Sequence, residues 1–168
     1  LKIDLKKPIV LFTQHSVTTE FDQAADQVEA SLAAMPDLAE DGVQVILTYP
    51  NNDAGGRQII QAIHKHKALS HKHIQLHQSL GRHLYHGVMA LAENPDILLA
   101  CVGNSSSGIK ETPIFGCPTI NIGSRQEGRL RGDNVIDVHY SSSSIYEATR
   151  QALHDQKFRE KCRKTNNP

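Results

Sequence analysis

Short apolar, β-branched runs alternate along this chain with longer segments of helical period, and this alternation restricts the possible folds more than any other feature. Pro8–Thr13 (PIVLFT) reads as a buried strand. Glu20–Met35 follows, with Phe21, Ala24, Ala25, Val28, Leu32 and Met35 at i, i+3, i+4, i+7 spacing, so a helix is expected there. Thr18 or Thr19 can cap its start, Glu20 and Asp22 suit the positive end of its dipole, and Pro36 should end it. The couplet recurs as strand Val43–Thr48 with helix Gly56–Lys67, then weak strand Ile74–Leu76 with helix Arg82–Glu93. Ile97–Val102 is a strand leading to a short helix after a serine run. Pro118–Ile122 is a strand, and Val135–Val138 with helix Ser143–His154 closes the series. Strands spaced by helices imply βαβ units and a parallel sheet covered on both faces. Right-handed crossovers make this an α/β, doubly wound, Rossmann-like layer. With no internal repeat or second core, residues 1–158 are expected to form one domain and 159–168 a loose tail.

Composition narrows the function classes. A chain of 168 residues is long enough to bury one core. Its 18 Lys and Arg balance 18 Asp and Glu, so it lacks the basic excess of a nucleic-acid or membrane-surface binder. No apolar run approaches the roughly 18 residues of a membrane span. Cys101, Cys117 and Cys162 are odd in number and lack C-x-x-C spacing, which favours a reducing cytoplasm over a disulfide framework. Cys101 and Cys117 lie in apolar stretches and read as small core residues. The start at Leu1 and the end at Asn166-Asn167-Pro168 read as cuts in a longer parent.

Polar segments follow four of the strands: Gln14–Thr19, Pro50–Gly56, Gly103–Gly108 and Gly123–Arg129. In an open parallel sheet the carboxyl ends of the strands share one rim, where ligands bind. Gly103-Asn104-Ser105-Ser106-Ser107-Gly108 joins a strand to a helix start, where free N–H groups and serine hydroxyls suit a phosphate. An ordinary serine-capped helix accounts for the same letters, and no Gly-Lys-Ser/Thr of a Walker loop follows. Glu111, one turn later, can accept both hydroxyls of a ribose or can simply favour the helix dipole. Arg125 stands nearest its strand end among Arg125, Arg129 and Arg131 and can match a diphosphate, although Glu127 and Asp133 offer surface ion pairs. His15 can shuttle a proton or donate to a phosphate, or be a solvated loop histidine. Asn51 and Asp53 can read a polar ligand edge or merely build a turn.

Histidine is dense between His64 and His86. His64 and His66 diverge on a helix, and neither the His71/His73 nor the His83/His86 pair has a carboxylate or thiolate spaced to complete a tetrahedral set. A polar, solvated face is the better account, and no metal is expected.

Four segments carry a family likeness. Thr13–Glu20 (TQHSVTTE) resembles the TQHPVTTE segment of hydrolysing UDP-N-acetylglucosamine 2-epimerases. Pro50–Gly55 is similar to their PNxDAG, and Gly103–Glu111 to their GNSSSGIRE. Gly116–Arg129 is similar to their GTPVVNIGTRQxGR. The resemblance spans about residues 8–155, with Ser16 in place of the proline of the first segment.

That resemblance implies the C-terminal half of a glycosyltransferase-B-type fold, with the active site between two Rossmann-like halves. Ser105 and Ser106 would then contact the diphosphate of UDP, Glu111 the ribose hydroxyls, and Arg125 the diphosphate and sugar. His15 and Asn51 would face the reacting sugar nucleotide, and the uracil would meet backbone near Gln78–Leu80. Asp53, Asn104, Ser107 and Gly108 belong to the same motifs as binding candidates. The implied reaction eliminates UDP from UDP-N-acetylglucosamine and adds water to the glycal with inversion at C2, releasing N-acetylmannosamine, a sialic acid precursor. No cofactor is implied. The implied partners are UDP, UDP-N-acetylglucosamine, a missing N-terminal domain that carries the proton-transfer carboxylates, and, since the family often dimerises, a second copy. The chain alone should bind nucleotide without turnover. Three rivals share the features: a non-hydrolysing epimerase, whose TGHRREN-like and DSGG-type motifs this chain lacks, a UDP-sugar glycosyltransferase, and a non-catalytic nucleotide-sensing module.

Overall fold

Every residue of β1 (Ile9–Thr13), β2 (Gln44–Thr48), β4 (Leu99–Gly103) and β5 (Thr119–Ile122) is buried, as strands covered on both faces must be. Only β3 (Ile74–His77) and β6 (Val135–Val138) are partly exposed, and they form the two edges. The computed structural model, which describes residues 1–167, arranges the six strands in one parallel sheet of order β3-β2-β1-β4-β5-β6.

Alternation along the strands divides the core. Val10, Phe12, Val45 and Leu47 face one side, where α1 (Ala24–Glu40), α2 (Gly56–Lys65) and α5 (Ser142–His154) pack. Ile9, Leu11, Ile46 and Leu99 face the other, against Val88 and Met89 of α3 (Gly81–Ala90). Each fully buried leucine, isoleucine or phenylalanine contributes roughly 1.5–3 kcal/mol. Cys101 and Cys117 sit in this second layer as free thiols, as expected of small core residues, and Cys162 is also buried and free. Among the described residues no helix is long and apolar enough to cross a membrane.

The helices depart from expectation in three places. The first does not begin at Glu20. Thr18–Gln23 forms a 3₁₀ turn in which Glu20 leaves helical geometry, and neither Thr18 nor Thr19 caps it. Glu20 is drawn instead to the Gln27 amide, which donates to Oε2 at 2.6 Å, and to the Ser124 hydroxyl at 3.3 Å. Pro36 does not end α1 but lies inside it, because Leu38 and Ala39 beyond it are buried and hold the last turn in place. The tail expected to be loose from about Phe158 is a further helix, α6 (Gln156–Arg163). Asp155 caps α6 by accepting the Phe158 N–H at 3.0 Å, and Cys162 anchors it.

The strand order reverses at β1. The chain moves outward through β2 and β3, then returns across the sheet to β4 beside β1. The connections that follow β1 and β4 run to opposite faces of the sheet and leave a crevice at its carboxyl edge. Gly103 makes their close approach possible. At φ +136° a Cβ there would lie 1.9 Å from the Thr13 carbonyl oxygen, so only glycine fits.

Candidate functional site

Asn104 ties the two loops of the crevice together. Its Oδ1 accepts the His15 N–H at 2.7 Å, and its Nδ2 donates to the His15 carbonyl at 2.8 Å. This reciprocal pair occupies a side chain only 1% exposed. Behind it, the Asn104 carbonyl accepts from Arg125 at 3.2 Å and from the Gln126 amide at 2.8 Å. Arg125 also donates to the Ser16 carbonyl at 3.2 Å and pairs with Asp53 at 3.5 Å. One guanidinium thus joins the segments after β1, β2, β4 and β5.

His15 is held neutral. The Asn51 N–H donates to its Nδ1 at 2.9 Å, which puts the ring proton on Nε2. Burial, and next the charge of Arg125, lower its pKa from 6.5 to about 4, against an opposing pull from Asp53. Asn51 and Asp53 form a short turn of their own, with the Asn51 amide donating to Asp53 Oδ2 at 2.6 Å.

A cavity of about 530 Å³ opens at this rim. His15, Asn51, Ser105, Ser107 and Glu111 line it, and so do Gln78, Ser79 and Leu80, the segment matched to a uracil. Asn104, Arg125, Asp53, Ser106 and Gly108 do not line it. Asn104 is the clamp behind it, and Arg125 lines a neighbouring hollow of about 410 Å³ with Val17–Glu20 and Ser124. Gly108 packs against Thr119, where an added Cβ would stand 3.0 Å from a methyl. Ser106 caps the short α4 (Ser107–Lys110) by position, without a side-chain bond. A larger hollow of about 660 Å³ between α1 and α2 holds none of the candidate residues.

Six lining residues lie outside the four motifs and the Gln78–Leu80 segment: Thr48, Tyr49, Gly81, Arg82, Tyr85 and His86. His86 Nε2 lies 3.1 Å from Glu111 Oε2, within hydrogen-bond distance. Tyr85 contacts the Ser107 hydroxyl at 3.0 Å and that of Thr13 at 3.5 Å. Burial pushes the Tyr85 phenol up to about 12, so it stays protonated. The helical period of α3 carries the one available signal, since Tyr85 stands one turn before the buried Val88 and Met89. The other histidines are scattered over separate partners. His66 and His71 reach Glu29 and Glu40 at 3.4 and 3.3 Å, and His73 reaches the Ala39 carbonyl at 3.1 Å.

The model of one family, described as UDP-N-acetylglucosamine 2-epimerase, matches residues 1–168. The chain belongs to the UDP-N-acetylglucosamine 2-epimerase family. Among its relatives, the UDP-N,N'-diacetylbacillosamine 2-epimerase (hydrolyzing) of Legionella pneumophila is 35% identical over 156 residues, 93% of this chain and 38% of the relative. The GDP/UDP-N,N'-diacetylbacillosamine 2-epimerase (hydrolyzing) of Campylobacter jejuni is 34% identical over 137 residues, 82% of this chain and 34% of that one. A UDP-N-acetylglucosamine 2-epimerase of Neisseria meningitidis is 33% identical over 144 residues, 86% of this chain and 35% of that one. The chain thus spans little more than a third of these relatives. Among solved structures, the co-structure of S. aureus MnaA with UDP aligns at a TM-score of 0.67 and 18% identity, covering 97% of this chain and 41% of that one. The family and these neighbours agree with the α/β reading and with the C-terminal half of a glycosyltransferase-B-type fold.

Proposed function

We propose that this epimerase-family chain is the nucleotide-holding half of a hydrolysing UDP-N-acetylglucosamine 2-epimerase. The observation that carries the reading is convergence: His15, Asn51, Ser105, Ser107 and Glu111, from three different loops, line one cavity at the strand-order reversal. In this reading Glu111 accepts the ribose hydroxyls, and the backbone at Gln78–Leu80 meets the uracil. Ser105 donates to the diphosphate, and Ser106 and Ser107 complete its loop. Neutral His15, with Nδ1 occupied, offers Nε2–H to a phosphate oxygen. Arg125 places positive charge behind the loop, where negative charge grows as the C1–O bond breaks toward UDP. The base that removes the C2 proton comes from an N-terminal half, and water then adds to the glycal. The chain by itself binds without turnover, and a cytoplasmic location is part of the same proposal.

The two relatives described as hydrolyzing support release of the free amino sugar and favour a second reading of the substrate, in which the sugar is N,N'-diacetylbacillosamine. Calorimetry of this chain with UDP should give saturable heat below millimolar ligand, and incubation of the chain with UDP-N-acetylglucosamine should release no free amino sugar. A folded chain that shows no heat at millimolar UDP overturns the reading. With the protein that carries both halves, the two substrates can be offered in turn. Free N-acetylmannosamine supports the first, and turnover confined to the diacetylated sugar supports the second.

A further inference from the structure

Five hydroxyl groups that line the cavity follow one another in a row of contacts. Thr48 and Thr13 meet at 2.6 Å, Thr13 and Tyr85 at 3.5 Å, and Tyr85 and Ser107 at 3.0 Å. Ser107 then donates to Ser105 Oγ at 2.9 Å, and the Ser107 N–H reaches the same oxygen at 3.4 Å. Every member lines the cavity, and they come from β1, β2, α3 and the loop after β4.

Each hydroxyl has one proton to give, so the direction of one bond sets the next. The geometry makes Ser107 the donor to Ser105. Ser107 therefore has no proton left for Tyr85, and the phenol must donate to Ser107. Tyr85 then has no proton for Thr13, so either Thr48 donates to Thr13 and Thr13 to Tyr85, or Thr48 donates to the Phe12 carbonyl at 3.4 Å, Thr13 donates to Thr48, and the 3.5 Å Thr13–Tyr85 contact carries no proton. Neither order alters the sense of the Tyr85–Ser107–Ser105 portion. Ser105 receives two hydrogen bonds on its oxygen and gives none among the described residues. Its O–H is left to the cavity, polarised by the donors behind it.

We propose that Tyr85 is a positioning residue that, through Ser107, fixes the Ser105 hydroxyl as a donor to an anionic oxygen of the bound nucleotide. The inference rests on the reading of this cavity as a UDP site. It adds a residue from α3 that touches no phosphate itself. Without the phenol, Ser107 is free to turn, and Ser105 can spend its proton on Ser107 instead of the ligand. A hydroxyl with two choices of acceptor loses part of its preference for an anion.

Binding of uridine and of UDP to this chain should be compared by calorimetry at one pH and salt concentration. Tyr85→Phe keeps the ring and should weaken UDP by roughly two- to tenfold, the worth of one hydrogen bond, while uridine binding stays unchanged. Ser107→Ala removes the donor behind Ser105 together with the acceptor that could divert its proton, so UDP should weaken by a smaller factor than with Tyr85→Phe while uridine is unchanged, a selective loss that does not depend on Tyr85→Phe folding. In a Ser105→Ala background, Tyr85→Phe should cost nothing further, because the line then ends before the ligand. A wild type that binds UDP no tighter than uridine overturns the UDP reading of the cavity, and the relay falls with it. A wild type that discriminates, beside a Tyr85→Phe chain that discriminates equally, overturns the relay alone. Equal losses for uridine and UDP mean general damage to packing and also overturn it.

Discussion

His15 illustrates how one side chain can be set by neighbours far away in sequence. The Asn51 N–H occupies its Nδ1, Asn104 holds its backbone from both sides, and Arg125 adds a positive charge nearby. The sign of the pH effect follows from its lowered pKa. Between pH 6.5 and about 4 the unfolded chain binds a proton at His15 that the folded chain refuses, so stability rises with pH across that window. The contribution is complete above pH 6.5 and lost as the pH falls to about 4. It amounts to roughly 3 kcal/mol on the usual linkage between protons and stability. His15→Asn keeps an acceptor for the Asn51 N–H and removes the titration. Thermal melts from pH 7 to 4 should therefore decline less steeply for His15→Asn than for the wild type. Parallel declines would show that this imidazole is not the cause. The candidate role of His15 was legible from its place directly after a strand. Its neutrality was not, because Asn51, Asn104 and Arg125 are 36, 89 and 110 positions away along the chain.

Strands and helices were legible to different degrees, and the reason lies in how each is stabilised. Runs such as IVLFT are apolar on both faces, and few other structures bury both. Val135–Val138 has the bounds its letters suggest. Helix ends were harder, since Glu20 chose tertiary partners over its own helix, and buried neighbours beyond Pro36 outweighed a missing N–H. The last helix was hardest. Its sequence, QKFREKCR, carries only Phe158 and Cys162 as an apolar pair at i, i+4, and most of its hold on the domain is polar. Arg159 donates to the carbonyls of Pro95 at 2.7 Å and Ile97 at 2.9 Å, bracing the turn that leads into β4. The Thr165 hydroxyl accepts the Asp133 N–H at 2.8 Å. Ending the chain after Phe158 removes all three bonds and uncovers the surface beneath Cys162. Such a chain should lose at least about 2 kcal/mol of stability in urea, because hydrogen bonds from a charged donor contribute roughly 1.5–3 kcal/mol each. An unchanged urea midpoint would show that α6 only rests on the domain.

At the scale of the whole molecule, parallel strands give the sheet two unlike ends. The carboxyl ends collect the polar loops, and the reversal beside β1 separates two of them into a crevice. This is why the rim could be read from the order of apolar runs and polar motifs, whereas Tyr85 and His86, on a helix that comes over the sheet from the other face, could not. The amino ends carry plain turns such as Asp41–Gly42 and Asn94–Asp96, closed by local backbone bonds. A ligand held at the carboxyl rim should therefore act on one end only. Hydrogen exchange with and without UDP should show added protection at 14–17, 49–55, 78–82 and 104–111. The amino-end turns at 41–43, 71–73 and 94–98 should exchange at unchanged rates. Global stabilisation by a ligand slows exchange only through full unfolding, so it touches the slowest core amides rather than loops that open locally. Protection concentrated in the amino-end turns would place the ligand at the wrong end of the sheet. Protection confined to 123–131 would move it from the cavity beside Ser105 to the hollow beside Arg125, leaving the fold assignment intact while displacing the chemistry assigned to the serines.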